Sequence, residues 1–242
     1  MAQHQDEALL AQLVALLREE FGDDLLGILV TGSRVHGRPD PTSDLDAHVI
    51  VAVPRRQRRN FVLDGVEVEL FINPPFQNRR YFADARGVDQ HMFTFGRAAY
   101  DPRGVVADLQ AEARRLWEAG PPPWDARLAW QDRYFPADLL RDLDDVGDTD
   151  EATAALLLAA IVDRLLATHD QRNRRWPAKP KRWLAELAEW DPEAARLARA
   201  ALACGPLSQR RLAVERLAAH VLRPIGGPMP LEWRTEWEEL QP

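Results

Sequence analysis

The chain has 242 residues, 46% of them hydrophobic and 29% charged, which is the balance of a soluble globular protein with room for one large domain or two small ones. Its net charge of −7 argues against a general nucleic-acid binder, which would show a basic footprint. No apolar run is expected to span a bilayer, the opening MAQHQDEALL lacks the pattern of a signal peptide, and a single cysteine, Cys204, suits a reducing cytoplasm.

Residues 6 to 21 carry Leu9, Leu10, Leu13, Val14, Leu16, Leu17 and Phe21 at helical spacing, and Gly22 stands where a helix would stop. A first strand is predicted at about 25 to 31 and a second at about 45 to 53. Between them lies ILVTGSRVHGRPDPTSDLD, residues 28 to 46. It joins an apolar run to Gly32-Ser33, and ten residues later reaches Asp44-Leu45-Asp46 at the start of the next apolar run. Strand alternation puts Asp44 and Asp46 on one face and Leu45 on the other. Two adjacent carboxylates repel unless a cation sits between them, and hard divalent ions such as Mg²⁺ prefer carboxylate oxygens. Gly32 permits a tight turn close to a ligand. A helix opening at Ser33 or Arg34 would offer free N–H groups to a phosphate.

The basic stretch PRRQRRN, 54 to 60, reads as a solvated hairpin tip, with contact to a triphosphate or an acidic partner as the alternative. FVLDGVEVELFI follows, with Asp64-Gly65 between alternating runs as a strong hairpin signal. On its second arm Glu67, Glu69 and Phe71 share one face. Asn73-Pro74-Pro75 ends the strand, and a short helix with Arg79 and Arg80 comes next. Residues 91 to 102 fit a strand or a buried helix equally, and 104 to 118 read as helix. GPPPW, 120 to 124, is the clearest linker, dividing residues 1–119 from 120–242. Beyond it everything reads as helix, near 125–145, 150–174, 181–189, 192–203 and 206–223, as in an antiparallel bundle. Cys204 reads as a small core residue, and the six histidines show no metal-ligand spacing, so no zinc site is expected.

Gly32, Ser33, Asp44 and Asp46, with Arg34 and Gly37 completing a GSRxxG form, resemble the signature of the polymerase-β-like nucleotidyltransferase superfamily. The resemblance implies an α+β fold: a nucleotidyltransferase core with a mixed sheet, followed by an all-α bundle like that of aminoglycoside adenylyltransferases. It implies transfer of a nucleoside monophosphate, with ATP favoured as donor, to a hydroxyl of a small aminoglycoside-like acceptor. Asp44 and Asp46 would hold Mg²⁺ in a two-metal site, and Gly32, Ser33 and Arg34 would grip phosphates. The third carboxylate is Glu67 by likeness to streptomycin-type enzymes, or Glu69 by the commoner acidic-Leu-apolar pattern. Both stay open as catalytic groups, with Glu69 slightly favoured as the metal ligand. Lys181, in the basic stretch 171 to 184, is the candidate for a triphosphate contact from the helical part. The alternatives are a nucleotidyltransferase of a toxin–antitoxin pair, acting on protein or RNA, and a non-catalytic nucleotide-binding module. Arg164 and His169 match the R-x4-H spacing of HEPN ribonucleases, although Leu165 replaces the polar residue usual after the arginine.

Overall fold

A computed structural model describes residues 2–32, 44–84, 86–147 and 149–237. It is α+β, and the chain divides into two compact units, 1–121 and 122–242.

The first unit is a five-stranded mixed sheet with helices on both faces. Its strands are β1 (Leu25–Thr31), β2 (Leu45–Val51), β3 (Gln57–Leu63), β4 (Val66–Asn73) and β5 (Arg97–Tyr100). They lie in the order β3-β4-β2-β1-β5. β2 runs parallel to β4, and every other pairing is antiparallel. The parallel pair arises because β3 takes the outer place, so the β3–β4 hairpin returns β4 directly beside β2. The hairpin turns at Asp64 and Gly65, both at positive φ (48° and 78°), as expected for Asp-Gly. β2 is buried along its whole length because it has a neighbour on each side and helices on both faces.

Helix α1 (Ala2–Phe21) covers one face. Leu9, Leu13 and Leu17 pack there against Ile28, Val30, Ala47, Val49, Val68 and Leu70. Short helices α2 (Pro75–Phe82) and α3 (Val88–Phe95) and the longer α4 (Val105–Ala119) cover the other. Phe82, Phe93, Val106 and Leu109 meet Leu29 and Ile50 there. Residues 91 to 102, which fitted either element, divide into the end of α3 and the edge strand β5. Asp101 joins β5 to α4 by accepting from the N–H groups of Val106 (3.0 Å) and Ala107 (2.9 Å), two otherwise orphaned donors. The basic stretch expected as a hairpin tip is only partly a loop. Gln57 to Asn60 belong to β3, where Arg58 and Arg59 serve as ion-pairing side chains on an exposed edge.

The described residues of the second unit form the helices α5 (Ala129–Val146), α6 (Glu151–Arg172), α7 (Pro180–Trp190), α8 (Pro192–Leu202) and α9 (Leu207–Leu222), with no strand among them. α6 is long and apolar enough to cross a membrane by length and composition, which the sequence pattern did not anticipate. Its Leu158, Ile161 and Leu165 are fully buried in the core of this unit, among residues of α8 and α9. Cys204 is exposed, contrary to expectation, because it falls in the turn between α8 and α9 rather than on a packed helical face.

Candidate active site

Because β2 and β4 are parallel, their residues align in rows across the sheet. Leu45 pairs with Val68, Asp46 with Glu69 and His48 with Phe71. β3 extends the rows outward, with Asn60 beside Glu69 and Arg58 beside Phe71, while β1 places Thr31 beside Asp46. Residues two apart on a strand share a face, so Asp44, Asp46 and His48 point the same way as Glu67, Glu69 and Phe71.

Asp44, Asp46 and Glu69 each bring a carboxylate oxygen to within 4.8 Å of the others. Asp46 is 9% exposed, and Asp44 stands in solvent at the mouth. Gly32 closes the floor on the β1 side. It has φ +93°, and a Cβ there would lie 3.3 Å from Asp46 Oδ2, so both the turn and the close approach favour glycine. Ser33, Arg34 and Gly37 lie outside the described residues. Glu67 sits one row further out, where its Oε1 accepts from Asn60 Nδ2 at 3.1 Å, and it does not join the three. Lys181 is exposed near the start of α7 in the second unit.

Three carboxylates this close repel in proportion to the desolvation of the site, and a cation relieves that repulsion. One cation is already drawn in, since Arg58 forms an ion pair with Glu69. The all-oxygen donor set suits a hard divalent ion better than a thiophilic one.

Sequence reasoning missed the row beneath. His48 is 1% exposed, stacks on Phe71 (centroids 4.7 Å apart), meets Phe93 edge-on (4.9 Å) and places Nε2 3.3 Å from Met92 Sδ. Burial, with the Arg58 charge as a lesser cause, pushes its pKa down to about 3, so the ring is neutral. Arg58 stacks on Phe71 as well, its Cζ 3.8 Å from the ring centroid. The register puts Arg58 on the β3 side of that ring and His48 on the β2 side. An aromatic platform therefore holds the guanidinium that reaches Glu69. The one available signal was His48 at i+2 and i+4 from two aspartates inside an otherwise apolar strand.

No family model matches the chain, and no curated protein matches it. Among solved structures it is similar to a nucleotidyltransferase-like protein from Exiguobacterium sibiricum 255-15. The two are 16% identical over 88% of this chain and 74% of that one, with a TM-score of 0.49.

Proposed function

We propose that the chain is a Mg²⁺-dependent nucleotidyltransferase moving a nucleoside monophosphate, AMP from ATP, to a hydroxyl of a small acceptor of aminoglycoside type. The observation that carries this reading is the meeting of Asp44, Asp46 and Glu69 at one end of the sheet, against Gly32. Spacing in the sequence required only that the two aspartates share a face. That the strand order sets Glu69 beside Asp46 supports the reading.

In this reaction the acceptor oxygen bonds to the α-phosphorus as the bond to the α–β bridging oxygen breaks, and pyrophosphate leaves. Mg²⁺ held by Asp44, Asp46 and Glu69 would neutralise charge on the attacking and leaving oxygens. The protein's own groups do the rest. Asp44, Asp46 and Glu69 would hold the metal at the end of the sheet. Gly32, with Ser33 and Arg34, is proposed to receive the β- and γ-phosphates. Glu67 or Glu69 takes the proton of the acceptor hydroxyl. A base in that position supplies typically 10²–10⁴-fold in rate. Lys181 is proposed as a further contact to the triphosphate, and the enzyme is proposed to work in the cytoplasm.

The test has two stages. Thermal melting with each of the four NTPs, with and without Mg²⁺, should show a stabilisation that needs both nucleotide and metal. Mass spectrometry of an aminoglycoside panel incubated with ATP should then show adenylylated product. Equal nucleotide affinity with and without Mg²⁺ would refute the metal-dependent reading.

A further inference from the structure

The helical unit contains a second convergence of ligating atoms, unrelated to the carboxylates of the sheet. His169 comes from the last turn of α6, Asp191 from the junction of α7 and α8, and His220 from the last turn of α9. Both imidazoles direct Nε2 at the same carboxylate oxygen, Asp191 Oδ2, each at 2.8 Å. The three donor atoms lie within 4.8 Å of one another. More than forty residues of chain separate the two histidines, so only the packing of three helical elements brings them together.

We propose that His169, Asp191 and His220 form a binding site for a divalent transition-metal ion, with Zn²⁺ the best fit. Imidazole nitrogen suits zinc, copper, nickel or iron rather than magnesium, and two such donors with one carboxylate leave a fourth position for water. In a tetrahedral zinc site, ligand atoms about 2.0–2.1 Å from the metal stand about 3.3 Å apart. The 2.8 Å pairs need to open by only about half an ångström to reach that spacing. The site is sheltered but reachable: the side chains are 10%, 16% and 25% exposed for His169, Asp191 and His220. Trp190 stacks on His169 at 4.7 Å and fixes the plane of that ring. Asp191 is held as well, because its other oxygen, Oδ1, accepts from Ala194 N–H at 3.0 Å and caps α8.

A neutral imidazole that donates from Nε2 must move its proton to Nδ1 before Nε2 can bind metal. On His169 that nitrogen faces Asn173 Nδ2 at only 3.4 Å, and Nδ2 keeps its own acceptor in the His169 carbonyl oxygen at 2.8 Å, so the proton's move to Nδ1 displaces just that long contact. Ligation would replace two shared hydrogen bonds by three coordinate bonds and tie the ends of α6 and α9 to the start of α8.

The test uses the full chain in a Cys204→Ser, Asp46→Asn background, which removes the thiol and disrupts the carboxylate cluster as rival sites. After chelator treatment and dialysis, Zn²⁺ titrated by calorimetry should bind with a stoichiometry of one and raise Tm, whereas Mg²⁺ should do neither. Co²⁺ should give the visible absorption of a tetrahedral N/O site. His220→Gln, at the most exposed of the three positions, should keep the native far-UV spectrum and weaken Zn²⁺ binding by at least about tenfold, a loss that outer-shell changes alone can reach. Absence of stoichiometric Zn²⁺ binding, or binding unchanged in His220→Gln, would overturn the proposal and leave the three residues as a hydrogen-bonded clasp.

Discussion

Asp46 lies at the centre of the candidate site, between Thr31 on one strand and Glu69 on the other. Asp46→Asn keeps the shape and removes the charge. It should abolish Mg²⁺-dependent nucleotide stabilisation and transfer while leaving the far-UV spectrum unchanged, which melting curves with and without Mg²⁺ will show. The two glutamates should divide by distance from that centre. Glu69 belongs to the cluster and Glu67 stands one row outward, hydrogen-bonded to Asn60. A group acting in the transition state lowers kcat when lost, whereas one that only holds the acceptor raises its KM. Steady-state kinetics of Glu69→Gln and Glu67→Gln should split in that order. If both keep wild-type kcat, neither is the third carboxylate. His48 makes a different kind of prediction. Its folded pKa of about 3 lies below the ordinary 6.5, so between those values the unfolded chain binds a proton that the folded chain refuses. Its contribution is therefore fully present above pH 6.5 and is lost as the pH falls toward 3, by several kcal/mol at about 1.4 kcal/mol per unit. His48→Leu should flatten that part of a urea-denaturation pH profile. It should cost little at neutral pH, since it also removes the unpartnered Nδ1.

At the scale of elements, β1 comes close to β5 and α4 at Gly27. A Cβ there would stand 2.4 Å from Val106 Cγ2 and 3.0 Å from the carbonyl oxygen of Tyr100. The backbone oxygen cannot step aside as a side chain would. Gly27→Ala should therefore destabilise the unit by about 1–3 kcal/mol, as overpacking does, measured as a lower urea midpoint with an unchanged m-value. The strand-turn-strand pattern and the Asp-Gly hairpin were legible because each is local. The boundary within residues 91 to 102 was not, because α3 and β5 share a short apolar run and Gly96 alone divides them. The basic stretch was read as a loop for a similar reason. Its alternating character is weak, and only pairing with β4 makes Arg58 and Arg59 strand residues.

The two units have separate cores: the sheet is packed by two clusters confined to the first, and the helices by one confined to the second. Seven of the eight tryptophans follow residue 121, so their fluorescence reports mainly on the helical unit. Leu158→Ala, at a fully buried position in that unit, should lower the fluorescence-detected stability by about 2–5 kcal/mol. A fluorescence midpoint that did not move would show that the cluster does not hold the unit together. Local chemistry made the helices, most strands, the glycine turn and the shared face of Asp44 and Asp46 readable, since periodicity, turn propensity and strand parity act over a few residues. Contacts between distant segments were a different matter. Parity allowed either Glu67 or Glu69 beside the aspartates, and only the parallel register of β2 with β4, set by where the β3 hairpin docks, brings Glu69 into the cluster. The histidines looked scattered because spacing along the chain says nothing of helices that meet in space, and packing of α6, α8 and α9 joins His169 and His220 at Asp191.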